Sequence, residues 1–135
     1  MKYLLDTNVC IDAMRGRDEV VRKLTSMSPD DCAISTVSVF ELEAGALKSN
    51  HPENELRKVS LLSDTLMVFP WDKNAAKKAA CVRSLLESSG WMIGAYDTLL
   101  AGHALALGLI LITDNVKEFS RVEGLVVENW RDRSV

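Results

Sequence analysis

The sequence has few of the features that mark secreted, membrane or fibrous proteins. Its cysteines, Cys10, Cys32 and Cys81, are odd in number and lack a Cys-x-x-Cys spacing, so neither a disulfide framework nor a zinc knuckle is expected. The longest apolar run, residues 105–112, is shorter than the roughly 18 residues that span a bilayer. The first apolar stretch ends at Asp6, too early for a secretory signal. We therefore expect a cytoplasmic protein with free thiols and no membrane partner.

An excess of positive charge is also missing. Lys and Arg number 16 against 19 Asp and Glu, which gives a formal net charge of −3. A broad basic surface that holds nucleic acid by neutralising phosphates is therefore not expected, although a local patch or a metal ion could still make such a contact. With 135 residues, 47% of them hydrophobic, the chain is predicted to form one globular domain that covers residues 1–135.

Short apolar segments alternate with helical patterns along the chain. The segments predicted as strands are residues 2–5, 32–34, 67–69, 109–112 and 122–127. Such alternation is typical of α/β proteins, in which helices connect parallel strands and cover both faces of the sheet. Ligands of these sheets bind outside the carboxyl ends of the strands, and Asp6 and Asp114 are predicted to lie at such ends.

Three acids stand beside apolar sequence, namely Asp6 after the first strand, Glu41 within a helix and Asp97 near the start of another helix. Each alone has an ordinary explanation as a turn former, a helix cap or an exposed charge. Together they would be costly to bury unless they met at a cation. Carboxylates are the ligands that Mg²⁺ and Mn²⁺ prefer, and few protein ligands leave room for water and phosphate oxygens. The residues therefore predict metal-dependent hydrolysis of phosphodiester bonds.

Four segments resemble, in order, motifs of the PIN-domain ribonuclease toxins called VapC. They are LLDTN at residues 4–8, SVFEL at 38–42, IGAYDTLLAGHA at 93–104 and TDNVKEF at 113–119. The resemblance implies an α/β fold, a three-layer α/β/α sandwich with a short parallel sheet. It also implies an Mg²⁺-dependent endoribonuclease, with Mn²⁺ as a substitute, that cleaves structured transfer or ribosomal RNA and leaves 5′-phosphate and 3′-hydroxyl ends. By the same resemblance Asp6, Glu41 and Asp97 are catalytic and hold the metal directly or through water.

The fourth acid of the family is less clear in this sequence. Many PIN domains carry an aspartate two residues after the threonine that ends the fourth strand, where this chain has Asn115. We expect Asp114 or Asn115 to be a catalytic residue that supports the metal through water. Glu118 is the less favoured candidate, and the ambiguity puts a second metal in doubt.

The resemblance further implies a homodimer and a cognate antitoxin of the VapB type, whose carboxyl-terminal segment inserts a basic side chain among the acids. Apolar stripes in residues 14–27 and 53–66 are candidates for the antitoxin groove, although packing in the core explains them equally well. The basic residues could meet RNA phosphates or could be ordinary surface charge; they are Arg15, Arg17, Lys48, Arg131 and Arg133.

Two other interpretations remain open. A phosphatase of the haloacid dehalogenase type also begins with a strand and an aspartate, but it needs a second aspartate where this chain has Asn8. A non-catalytic module that only binds an antitoxin or another partner is the alternative function, and three acids in apolar surroundings disfavour it. His103 is predicted to be structural, and Trp91 could either stack an RNA base or anchor its loop.

Overall fold

Strands and helices alternate along the chain, as the sequence predicts. The structure, a computed structural model, describes residues 2–131. Its elements are β1 Tyr3–Leu5, α1 Thr7–Met14, α2 Asp18–Thr25, β2 Cys32–Ser35, α3 Thr36–Lys48, α4 Pro52–Thr65, β3 Met67–Phe69, α5 Lys73–Ser89, α6 Ala95–Leu107, β4 Ile110–Ile112, α7 Val116–Phe119 and β5 Val127–Glu128. Within the described residues no helix is long and apolar enough to cross a membrane.

The five strands form one parallel sheet in the order β3-β2-β1-β4-β5. β1 lies in the centre, where Leu4 is in register with Ala33 of β2 and Leu111 of β4. Because every strand runs in the same direction, the carboxyl ends of β1, β2 and β4 share one edge of the sheet. This confirms the predicted α/β class and places the residues that follow these strands close together.

Helices cover both faces of the sheet because successive strand residues point to opposite sides. Leu5, Ile34 and Ile112 pack with buried residues of α1 to α4 in one core. Leu4, Ala33 and Leu111 pack with α5, α6 and α7 in the other core. The predicted three layers are therefore present, with a hydrophobic core on each side of the sheet.

Two polar side chains fix the starts of the helices that matter for the site. The Ser35 hydroxyl accepts a hydrogen bond from the Val37 backbone N–H at 3.0 Å and caps α3. Asp72 caps α5 by accepting from the Ala75 backbone N–H at 3.0 Å. Such caps satisfy backbone donors that the first helical turn leaves free.

Helices α5 and α6 touch at backbone distance. A Cβ atom added to Gly102 in α6 would lie 2.5 Å from both the backbone nitrogen and the Cα of Ala79 in α5. Only glycine permits this approach without moving one helix. The contact holds α6, and with it Asp97 in its first turn, against the rest of the domain.

The predicted strand at residues 122–127 is wrong in its bounds. Gly124 has φ +82°, in the left-handed region, and therefore ends any extended segment that starts at Val122. The chain pairs with β4 only from Val127, which is in register with Leu111. Val122 is instead buried in the core beside α5 and α6. The prediction for Arg133 falls outside the described residues.

Candidate active site

Asp6 lies at the carboxyl end of the central strand, with 3% of its surface exposed. Its backbone N–H donates to the Ile112 carbonyl at 2.9 Å, which joins the ends of β1 and β4. The Thr113 hydroxyl donates to Asp6 Oδ2 at 2.7 Å and fixes the carboxylate. Burial raises the pKa of Asp6, and the charges of Asp114 and Glu41 add to the rise, against hydrogen bonds that lower it. Burial and neighbouring negative charge therefore both destabilise the ionised form of Asp6.

Glu41 reaches the same region from α3. The Thr7 hydroxyl donates to Glu41 Oε1 at 2.7 Å and shares a second hydrogen bond of 2.9 Å with the buried Ser38 hydroxyl. Thr7 directly follows Asp6, so this contact ties Glu41 to the end of β1. Glu41 is partly buried and anchored, which differs from the freely solvated charge considered as its ordinary explanation.

Asp97 enters from the first turn of α6. Gly94 is the N-cap of this helix, and its backbone N–H donates to Glu118 instead of Asp97. Asp97 therefore does not act as the cap that the sequence allowed. Burial, followed by the charges of Asp6, Glu118 and Glu41, raises the pKa of Asp97 to about 7. The three predicted ligands thus lie close enough to repel one another.

Glu118 completes the group from α7. Its Oε1 accepts from the Gly94 backbone N–H at 3.0 Å and its Oε2 accepts from Asn115 Nδ2 at 2.6 Å. A Cβ built on Gly94 would lie 3.3 Å from Asp97 Oδ2 and 4.0 Å from Glu118 Oε1, so both carboxylates flank the same point of the backbone. The Gly94 and Asn115 hydrogen bonds lower the pKa of Glu118, and Asp97 donates a further hydrogen bond to it.

The sequence also contains a pattern that indicates this position of Glu118, although Glu118 was the less favoured candidate for the fourth acid. Asn115 is the N-cap of α7 and Glu118 is the third helical residue. An N-cap residue followed three positions later by glutamate is typical of a capping box, in which the glutamate turns back toward the helix start. Asn115 thus supports Glu118 from within the site, while Glu118 is the candidate that contacts Asp97.

Asp114 points toward a different partner. Its Oδ2 accepts from Arg131 Nη1 at 2.7 Å, and Arg131 also holds both carboxylate oxygens of Asp12 in α1 through Nε and Nη2 at 2.7 Å each. Arg131 is therefore engaged by acids instead of being free for RNA phosphates. Asp12 was not predicted as a partner of Arg131, because the sequence shows it only as an acid near the buried residues Val9 and Cys10 of α1.

His103 has the structural role that the sequence predicts. It is buried in α6, and its Nδ1 lies 2.9 Å from the hydroxyl of Ser35, the residue that caps α3. Burial lowers the pKa of His103. The imidazole joins α6 to the start of α3 and is a poor candidate for a general base.

The four carboxylates form an oxygen-only donor set, which suits a hard divalent cation. We refer to Asp6, Glu41, Asp97 and Glu118 as the acid cluster. Within residues 2–131, no three His, Cys, Asp or Glu side chains are already close enough to form a closed metal site. This spacing is compatible with Mg²⁺, which keeps several of its waters and contacts few carboxylates directly. A cation would also relieve the repulsion that raises the pKa values of Asp6 and Asp97.

The comparisons with known proteins agree with this architecture. The family described as PIN domain matches residues 3–125. The chain is 35% identical over 130 residues to the tRNA(fMet)-specific endonuclease VapC of Salmonella typhimurium, across 96% of this chain and 98% of that protein. It is 32% identical over 130 residues to Ribonuclease VapC2 of Haemophilus influenzae, across 96% and 98% of the two chains.

Solved structures give the same result. The DNA-bound VapBC of Salmonella typhimurium contains a chain that matches with a TM-score of 0.92 at 34% identity, over 96% of this chain and 98% of that one. VapBC2 of Rickettsia felis, bound to a DNA fragment from its promoter, matches with a TM-score of 0.90 at 32% identity, over 96% and 99%. The likeness extends across nearly the full length of each of these proteins.

Proposed function

Since the chain belongs to the PIN-domain family, with VapC ribonucleases as relatives over nearly its full length, we propose that it is the endoribonuclease toxin of a type II toxin–antitoxin pair. It hydrolyses phosphodiester bonds of structured RNA, with transfer RNA as the first class to test because one relative is named for tRNA(fMet). Residues 1–135 act as one domain. The PIN-domain assignment also disfavours the phosphatase considered from the sequence.

One observation carries the proposal. Four carboxylates from distant parts of the sequence meet at the carboxyl edge of the sheet, where burial and the other acids raise the pKa of Asp97 to about 7. Burying several carboxylates close together destabilises the folded state, and such groups with shifted pKa values are typical of functional sites. The presence of this arrangement in this family favours catalysis over the alternative of a module that only binds a partner.

A divalent cation suits the acid cluster, and Mg²⁺, with Mn²⁺ as a substitute, is the proposed cofactor. Asp6, Glu41 and Asp97 would hold it, and Glu118 would assist from the α7 side. When bound, the cation supplies positive charge against the negative charge that develops on the phosphoryl oxygens and makes water a stronger nucleophile. Asp114 and Asn115 stay candidates for the fourth position, and we add Glu118, which contacts Asp97 and accepts a hydrogen bond from Asn115.

The chain's own residues orient this cluster before substrate arrives. The Thr113 hydroxyl holds one oxygen of Asp6, and the Thr7 hydroxyl holds one oxygen of Glu41. Hydrogen bonds of this kind fix ligand carboxylates and tune their basicity. Asp97 retains a proton that it shares with Glu118 near neutral pH, because its pKa is raised while that of Glu118 is lowered. Cation binding requires loss of this proton.

An antitoxin of the VapB type is the proposed protein partner. An apolar groove of about 290 Å³ runs between α2 and α4 and is lined by Val21, Leu24 and Leu61 among others. It shares Met14 and Lys58 with a second groove of about 340 Å³, whose lining includes Glu41 of the acid cluster. A helix with an apolar face could fill the first groove and direct a basic side chain through the second toward the acids. The toxin itself is proposed to be a homodimer.

Cleavage of RNA by the purified, antitoxin-free chain tests the function. We expect discrete fragments from transfer RNA with Mg²⁺ or Mn²⁺ and none with EDTA. Glu41→Gln should abolish cleavage, whereas Glu43→Gln, an exposed glutamate on the same helix, should not. The nuclease would be refuted if a folded protein that binds antitoxin left transfer, ribosomal and messenger RNA intact with either metal. That result would favour the binding module.

A further inference from the structure

A solvent-exposed tryptophan stands beside the acid cluster. Trp91 lies in the loop between α5 and α6, three residues before Gly94, and 60% of its surface is exposed. The other two tryptophans have structural roles, since Trp71 Nε1 donates to the Leu99 carbonyl at 3.0 Å and Trp130 is buried. Exposing an aromatic ring of this size to water is unfavourable. Because Trp91 is mostly exposed, packing in the core does not explain its presence.

A cation holds this ring in place. The guanidinium carbon of Arg121 lies 5.1 Å from the centroid of the Trp91 ring, within the range of a cation–π interaction. Arg121 Nη1 also donates to the Met92 carbonyl at 3.1 Å, so the loop backbone anchors the guanidinium. The ring and the charge therefore form a surface that is ordered before any ligand arrives. We call Trp91 and Arg121 the aromatic platform.

The aromatic platform is continuous with the acid cluster. The Arg121 backbone N–H donates to the Glu118 carbonyl at 3.2 Å, and the Arg121 charge acts on the Glu118 carboxylate. Glu118 in turn accepts from Gly94, three residues after Trp91. A chain of three residues spans at most about 10 Å. A nucleotide next to a phosphate at the acid cluster can therefore reach Trp91.

We propose that the aromatic platform stacks an unpaired base of the RNA next to the scissile phosphate and thereby binds the substrate beside the acid cluster. The inference rests on the proposed ribonuclease function. A net charge of −3 and four carboxylates repel the phosphate backbone, so contacts that do not depend on neutralising phosphates add needed affinity to that of the proposed cation. Stacking on an aromatic ring supplies such affinity, and it suits splayed bases of RNA loops.

A second aromatic contact near the site is less suited to this role. Phe40 and Tyr96 adjoin Glu41 and Asp97 in sequence, but their rings lie 5.7 Å apart and contact each other. Among residues 2–131 no cation lies over the face of either ring, whereas Arg121 lies over that of Trp91. The observations therefore favour Trp91.

Steady-state cleavage of a transfer RNA substrate tests the proposal. Loss of a stacked base costs about 5- to 150-fold in affinity, so Trp91→Ala should raise KM within this range and leave kcat nearly unchanged. Trp91→Phe should restore most of the affinity because it keeps a ring. Val126→Ala is the control, since Val126 is 59% exposed. It lies at the amino end of β5, whereas the acid cluster lies at the carboxyl ends of the strands. If the wild-type protein cleaves RNA and Trp91→Ala does so with an unchanged KM, the platform is refuted and the nuclease stands.

Fluorescence gives a readout that needs no turnover. In an Asp97→Asn background, an unstructured oligoribonucleotide should quench tryptophan emission, and the quenching should disappear when Trp91→Phe is added. If quenching persists without Trp91, the proposal fails even when RNA binds. The proposal also fails if Trp91→Ala changes the oligomeric state or antitoxin binding but not RNA binding, because the platform is then a protein interface. If the wild-type chain cleaves no RNA, the nuclease assignment fails, and Trp91-dependent quenching decides separately whether the platform binds RNA.

Discussion

Replacing Gly102 by alanine measures how much stability depends on the close contact of α5 and α6. The added Cβ would lie 2.5 Å from the nitrogen and Cα of Ala79, whereas ordinary carbon contacts are about 3.5 to 4.0 Å. The helices must therefore separate by about 1 Å. Overpacking of this kind costs about 1 to 3 kcal/mol, and a clash with backbone falls at the upper end of that range. The better helix propensity of alanine returns about 1 kcal/mol.

The net expectation is a loss of about 1 to 2 kcal/mol in the free energy of unfolding, or a Tm lower by about 4 to 8 °C. Urea denaturation followed by circular dichroism measures the first quantity and a thermal scan the second. Gly45→Ala is the matched control, since it also lies in a helix, has no positive φ, and its added Cβ would meet nothing within 4 Å. This control should be more stable than wild type by up to about 1 kcal/mol. Equal stability of the two variants would refute the role assigned to Gly102.

Three further predictions concern the charged groups. Because burial and nearby charge raise the pKa of Asp97 to about 7, the folded protein binds this proton more tightly than the unfolded chain, so stability without metal should fall as pH rises from about 4 to 7. A fully buried carboxyl would lose at most about 4 kcal/mol of unfolding free energy over this range, and partial exposure of Asp97 reduces the expected loss to about 1 to 2 kcal/mol. Thermal unfolding measured across this pH range with and without Mg²⁺ should show that the cation removes the loss. Arg131→Ala leaves Asp12 buried without its partner and should cost about 1 to 3 kcal/mol in urea unfolding, whereas Arg22→Ala, which breaks an exposed pair, should cost at most about 0.5; equal costs would contradict the assignment. Thr113→Val removes the hydrogen bond to Asp6 and should weaken Mg²⁺ binding about 10- to 100-fold by calorimetry, so an unchanged affinity would contradict the role assigned to this hydrogen bond.

The sequence predicted those parts of the site that depend on local pattern. Asp6 was predicted at a strand end because the apolar run before it stops there, and the structure places it at the end of β1. Asp97 stood out as an acid in an apolar helix, and it lies in the first turn of α6. Both predictions needed only the neighbouring residues, together with, for Asp6, the rule that ligands bind at the carboxyl ends of parallel strands.

The parts that the sequence did not predict depend on contacts between distant residues. Arg131 and Asp12 are 119 positions apart, and no local pattern indicates that they meet. The direction of the Glu118 side chain depends on the Gly94 backbone N–H, 24 positions earlier. The start of β5 was misplaced because an apolar segment indicates burial, while Gly124 decides where the backbone can be extended.

The hydrogen bond between Asp6 and Thr113 also bears on how the protein is made. It joins residues that are 107 positions apart, and β1 in the centre of the sheet pairs with β4 over a similar separation. A ribosome that adds about 5 to 20 residues per second needs about 5 to 20 seconds to cover that distance. During that time Asp6 lacks the Thr113 hydroxyl that orients it, and Asp97 and Glu118 have not yet been synthesised or folded. A nascent chain therefore cannot carry the assembled acid cluster until nearly all of the domain has emerged, which gives an antitoxin made at the same time an interval in which to fold first.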